Sequence, residues 1–195
     1  VAQLLEDKLD DREAAVTAWR RVLSVREDDM AAMKALLQLL ELLGRWEELV
    51  EVLRRKAELS ADPADQQGAF QRIAEIYGDQ LPDPEKAVEA WRQVLANDGT
   101  NGRALDALEA LYRNAQGWMD LIWVYQSKLD LTDDPTLWRD LQLQVAETYE
   151  QHVEDNFEAI NAYKALLERG SRAELVLDCF DRLSSPESLW ADLLE

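Results

Sequence analysis

The stretch Leu81-Pro82-Asp83-Pro84-Glu85-Lys86-Ala87-Val88-Glu89-Ala90-Trp91-Arg92-Gln93-Val94-Leu95 decides the fold. Ala87, Ala90, Trp91, Val94 and Leu95 fall at i, i+3, i+4, i+7 and i+8, which is one apolar stripe along an amphipathic helix. Leu81-Pro82 closes the preceding helix, because the proline ring disfavours helical backbone at the residue before it. Asp83 stands where a carboxylate can cap the next helix, and Pro84 takes its first position, where no backbone donor is needed.

A shift of 72 residues lays this stretch on two others without gaps. The shift aligns Ala2/Ala74/Ala146, Asp11/Asp83/Asp155, Ala15/Ala87/Ala159, Ala18/Ala90/Ala162 and Leu23/Leu95/Leu167. It also aligns Trp19/Trp91/Tyr163, Leu36/Leu108/Phe180, Leu39/Leu111/Leu183, Trp46/Trp118/Trp190 and Leu49/Leu121/Leu193. Two tryptophan series at one offset mark an internal repeat. Turn signals at Asp10-Asp11, Asp62-Pro63, Asn97-Asp98-Gly99, Asp133-Asp134-Pro135 and Glu154-Asp155-Asn156 then divide the chain. Helices are predicted over 1–9, 12–25, 29–43, 46–59, 64–80, 84–97, 101–115, 118–131, 136–152, 156–168, 172–183 and 187–195. No segment reads as a strand, and one period is four helices, or two hairpins of about 36 residues each.

Composition narrows the class. Of 195 residues, 40 are Asp or Glu and 21 are Lys or Arg, a formal charge of -19 that repels nucleic-acid phosphates and anionic membrane surfaces. The single cysteine, Cys179, rules out an intrachain disulfide and a Cys-rich zinc site, and is expected to be a small buried side chain. No apolar run reaches the roughly 20 residues of a membrane-spanning helix. The first residues, Val1-Ala2-Gln3-Leu4-Leu5-Glu6-Asp7, carry neither an initiator Met nor a signal-peptide pattern, so the chain reads as a piece of a longer array. Cytoplasm is the default compartment, with periplasm the alternative for a parent protein bearing a signal.

Leu36, Leu40, Gly44, Trp46, Leu49 and Leu53, and again Ile73-Ala74, Tyr77, Ala87, Trp91 and Leu95, have the spacing of the tetratricopeptide consensus. The chain resembles this family over its whole length, and most closely the divergent arrays of large bacterial scaffold proteins. Leu37 and Glu109 depart from it where the family prefers a small residue, and Leu49, Leu121 and Leu193 where it prefers Ala. The resemblance implies an all-α, right-handed superhelical α-solenoid of antiparallel helix pairs. It divides the chain into a partial hairpin over 1–27, hairpins over 28–62, 63–99, 100–135 and 136–170, and a partial hairpin over 171–195.

Five tryptophans, Trp19, Trp46, Trp91, Trp118 and Trp190, sit on repeated positions and are expected to wedge between helices; Trp123 and Trp138 lie off them and are freer to reach the surface. His152, the only histidine, lacks the i, i+4 partners of a metal site and reads as a helix-end residue. Asp28-Asp29 and Asp133-Asp134 read as helix caps, without the ligand spacing of a calcium loop. No nucleophile elbow, phosphate loop, dinucleotide fingerprint or zinc-protease motif is present, so no enzyme, cofactor or metal is expected.

In the family, the first helix of each hairpin, helix A, lines the concave wall. The resemblance therefore implies partner contacts from Lys34, Gln38, Glu41, Gln71, Glu75, Asp79, Arg103, Asp106, Ala110, Arg113, Arg139, Leu143, Glu147 and Glu150. The Lys/Asn clamp of the chaperone-tail subclass is not matched, since Gln38 stands where an asparagine is required. The expected role is a protein-interaction scaffold that takes a peptide or helix, favouring basic segments, with self-association through uncapped ends. Two other roles stay open: a structural spacer in a larger assembly, and the substrate-recruiting array of an enzyme whose catalytic domain lies elsewhere.

Overall fold

A computed structural model describes residues 11–169. The helices expected over 1–9, 172–183 and 187–195, with Ala2, Cys179, Phe180, Leu183, Trp190 and Leu193, lie outside the described residues. Those described form nine α-helices and no strand: α1 (Arg12–Val25), α2 (Met30–Leu42), α3 (Trp46–Leu59), α4 (Pro63–Asp79), α5 (Pro84–Asn97), α6 (Gly102–Asn114), α7 (Trp118–Leu131), α8 (Pro135–Thr148) and α9 (Asn156–Glu168). The starts at Arg12, Pro84 and Asn156, at Met30 and Gly102, at Trp46 and Trp118, and at Pro63 and Pro135 are each 72 residues apart.

Side-chain capping explains why helices begin where they do. Carboxylates of Asp11, Asp29, Asp62, Asp83, Asp134 and Asp155, and the carboxamide of Asn101, accept from backbone N–H groups one or two residues into α1, α2, α4, α5, α8, α9 and α6, at 2.8–3.1 Å. Each cap satisfies a donor that the first helical turn leaves open, an effect of about 0.5–2 kcal/mol. Part of the acidic excess is thus spent on helix starts. Asp29 and Asp134 do the capping within the acid pairs, and Pro84 stands at the start of α5. The helix expected over 136–152 differs: α8 stops at Thr148, and Tyr149–Val153 continues as a π turn that ends with Glu154 in the left-handed region (φ 60°).

The described residues are an all-α array of successively packed helices, in two compact units that divide between Ala104 and Leu105. In the first, α1 packs on α2, α2 on α3, α3 on α4 and α4 on α5, so successive hairpins stack as in an α-solenoid. Its core is Ala15, Leu36, Leu40, Leu49, Leu53, Ile73, Ala74, Ala87, Trp91 and their neighbours, all buried. In the second unit α7 packs on α8 and α8 on α9 around buried Leu108, Leu121, Ile122, Val145, Ala146, Ala159 and Tyr163. Of the repeated tryptophans described, Trp91 is buried, while Trp19, Trp46 and Trp118 are half-buried. Trp123 is exposed and Trp138 half-buried. No helix among the described residues is long and apolar enough to cross a membrane.

Candidate functional site

The packing buries the apolar stripe of each helix and leaves polar side chains of α2, α4, α6 and α8, the first helices of the expected hairpins, for contacts of another kind. In the first unit an ion-pair ladder occupies this side. Arg72 on α4 reaches back to Glu41 on α2 and along its own helix to Glu75 at 3.1 Å. Glu75 in turn accepts from Arg103, at the start of α6, at 2.7 Å. Three helices are thus joined by alternating charges.

The sequence-derived residues Glu41, Glu75 and Arg103 are brought together here, and Arg72, which sequence reasoning passed over in favour of its half-buried neighbour Gln71, connects them. Lys34, Gln38 and Asp79 are exposed and make no ion pair or hydrogen bond among the described residues. A second network, Arg20–Glu48–Arg45–Glu13, ties α1 to the start of α3.

In the second unit the charges run differently. The Lys128 ammonium on α7 donates to Asp106 and Glu109 on α6, both at 2.5 Å. Arg113 on α6 donates to Glu109 at 2.7 Å and to the Tyr125 hydroxyl on α7 at 2.8 Å. Burial pulls the Lys128 pKa down, but the bonds from Asp106 and Glu109 outweigh it and hold the ammonium above the ordinary lysine value. Glu109, the departure from the family's small residue, is therefore an acceptor shared by two cations. Asp106 and Arg113 are directed within their own hairpin. Of the other expected groove residues, Arg139 pairs with the adjacent Asp140, Glu150 accepts from the Tyr163 hydroxyl at 2.8 Å, Leu143 is half-buried, and Ala110 and Glu147 are exposed.

With its cations held inside the hairpin, the polar side of the second unit keeps a cleft of about 290 Å³. Arg113 and Glu147, both expected groove residues, share it with Gln144, Trp118, Tyr125 and His152. The Trp118 and His152 rings, both lining it, stack with centroids 3.8 Å apart and 7° from parallel. Trp118 is half-buried, and His152 lies in the last turn of the π segment, the helix-end place expected of it. Their stacking is not readable from the sequence, in which nothing announces the π turn that carries His152. Gln144 carried the one readable signal: it stands at the offset of Arg72, so the bridging guanidinium of the first unit has no counterpart. No group of three His, Cys, Asp or Glu able to hold a metal occurs among the described residues.

No protein-family model matches the chain, and no curated protein does. Among solved structures it is similar to MamA, at 16% identity over 87% of this chain and 94% of that one, with a TM-score of 0.46. It is also similar to YrrB, described as a TPR protein with an unusual peptide-binding site, at 13% identity over 92% and 88% of the two chains and a TM-score of 0.46. A third likeness is to BtubC from P. vanneervenii, at 19% identity over 97% and 78% and a TM-score of 0.40.

Proposed function

We propose that the chain is a non-catalytic protein-interaction scaffold, one continuous array over 1–195, that takes a peptide or helix of a partner along the polar side of its first helices. The cleft of the second unit is the anchor point. One observation carries this reading: the positions of Glu41, Arg72 and Glu75, joined by ion pairs in the first unit, are Arg113, Gln144 and Glu147 in the second, where they line a cleft shared with Trp118, Tyr125 and His152. A stacked indole and imidazole beside a guanidinium, a carboxylate and a carboxamide offer a partner one apolar contact and several oriented polar ones, the usual make-up of a specific contact site. The net charge of -19 favours basic segments and makes association weaken as salt rises.

The test transplants the closed pattern into the open one. The double variant Arg113→Glu, Gln144→Arg should rebuild the bridge with Glu147 and fill the cleft. A partner captured from the native source by the unaltered chain should be lost by this variant, while far-UV circular dichroism stays unchanged. Arg103→Glu and Arg139→Glu should weaken capture further. Retention of the same partner by all of these variants favours the structural spacer instead.

A further inference from the structure

We propose that the cleft where α7 ends, α8 begins and α9 ends is a receptor for an arginine side chain of a basic partner segment, with Arg169 as its built-in occupant. This goes beyond the polar-side reading above and does not depend on it. The cleft measures about 660 Å³, far more than one guanidinium fills. Among the described residues its lining includes Trp138, Pro135 and Leu129, together with Asp130 and Asp133. The Arg169 guanidinium lies over the Trp138 ring, 4.0 Å from its centroid.

Three features make this a recognition surface rather than ordinary packing. First, the repeat does not require it. At the same offset the first unit has Gln66 for Trp138 and Asn97 for Arg169, and the Gln66 carboxamide donates to the Ser60 carbonyl at 2.8 Å, so that position is filled by a local hydrogen bond and needs no aromatic ring. Second, one cation faces two carboxylates: Asp130 and Asp133 are exposed and form no ion pair among the described residues, so the cleft is short of positive charge. Third, the chain already shows which chemistry the indole accepts. A planar guanidinium stacks on an indole face and can still donate in its own plane to nearby carboxylates, which a compact lysine ammonium does less well. Arg169, at the end of α9, holds the ring in the free chain, so an incoming arginine competes with it for the indole face while pairing with Asp130 and Asp133.

An NMR titration of the complete chain with a blocked Gly-Arg-Gly tripeptide tests the proposal, with the citrulline and lysine counterparts as controls. At low ionic strength the arginine peptide should shift the Trp138 indole N–H signal, identified by its loss in Trp138→Leu, and leave the Trp118 indole in place. Citrulline should cause no shift, and lysine should bind several-fold more weakly. Arg169→Ala, by vacating the ring, should raise the affinity about three- to tenfold, and Asp133→Asn should lower it. Equal shifts from arginine and citrulline, unchanged or weaker binding by Arg169→Ala, or shifts at Trp118 alone would each overturn it. If Trp138→Leu does not fold, the two surface variants still decide the matter. A shift at Trp118 without one at Trp138 would count against this receptor and leave the polar-side reading standing.

Discussion

The helices α2 to α5 recur 72 residues on as α6 to α9, yet the charges of the two units are joined in different directions. In the first, Glu41, Arg72, Glu75 and Arg103 link one hairpin's first helix to the next. In the second, Lys128 and Arg113 draw Asp106, Glu109 and Tyr125 together inside a single hairpin. The change follows from three residues at repeated positions: Glu41 becomes Arg113, Arg72 becomes Gln144, and Leu37 becomes Glu109. Lysine is kept, as Lys56 and Lys128, but only Lys128 has an acid at the matching place on the preceding helix. A repeat fold thus fixes where a side chain stands, while the residues at three positions decide whether ion pairs join one first helix to the next or stay within a hairpin.

The largest effect expected from dissecting this contrast is at Lys128. Its ammonium is largely buried and supports Glu109, itself largely buried, so Lys128→Met should cost about 1–3 kcal/mol by leaving that carboxylate short of a partner. The pH dependence has a definite sign. Because folding raises the Lys128 pKa, its contribution is fully present below the ordinary lysine value near ~10.4 and is lost as pH rises through the raised value. Urea unfolding followed between neutral and strongly alkaline pH should show an alkaline decline that Lys128→Met reduces. An identical alkaline decline in both chains would remove Lys128 from the account. Lys56→Met, where the nearest acid is Asp65 at 4.0 Å, should cost less.

Gly44 and Gln116 offer a second matched pair. Both close a first helix in the left-handed region, at φ 67° and 57°, and the next residue's N–H, from Arg45 or Gly117, bonds back to Leu40 or Tyr112 at 2.9 Å in each case. The turn is one geometry written with two sequences. Glycine adopts it without strain, whereas a side chain there costs about 1 kcal/mol. Gln116→Gly should therefore stabilise the chain by about that amount and Gly44→Gln destabilise it comparably, both read from urea midpoints. Midpoints that do not move in opposite directions would mean that the two turns are not energetically alike.

This pair also marks how far the sequence could be read. Helix type and position were legible because capping residues, prolines and the apolar stripe act locally: Asp83, Pro84 and the stripe from Ala87 to Leu95 define α5 without reference to anything distant. A glycine at position 44 announces a turn, whereas Gln116 adopts the same backbone under constraint from the flanking helices, and nothing in glutamine itself signals that. The π turn at Tyr149–Val153 was invisible for a similar reason. Groove residues were legible as positions but not as partners. Periodicity assigned Glu41, Glu75 and Arg103 to one side, yet which guanidinium joins them depends on helix-to-helix distances, and Arg72 rather than Gln71 meets that requirement.

The smallest effect expected is also the most direct comparison of the two polar sides. Glu75 accepts from two guanidinium groups, and its side chain is only 21% exposed; Glu147, at the same offset, is exposed and has no ion pair or hydrogen bond among the described residues. Exposed pairs contribute roughly 0–1 kcal/mol each, so Glu75→Gln should cost at most about 1 kcal/mol and Glu147→Gln about nothing. Salt identifies the cause. At 1 M, where charges are screened beyond roughly 3 Å, the difference between the two variants should shrink, because what Glu75 adds is mainly Coulombic. A difference that survives high salt would mean that Glu75 acts through packing or hydrogen-bond geometry, and the ladder would then be a consequence of helix stacking rather than a support for it. Equal costs at low salt would show that Glu147 has found a partner in solution, and the cleft would not be open to another molecule.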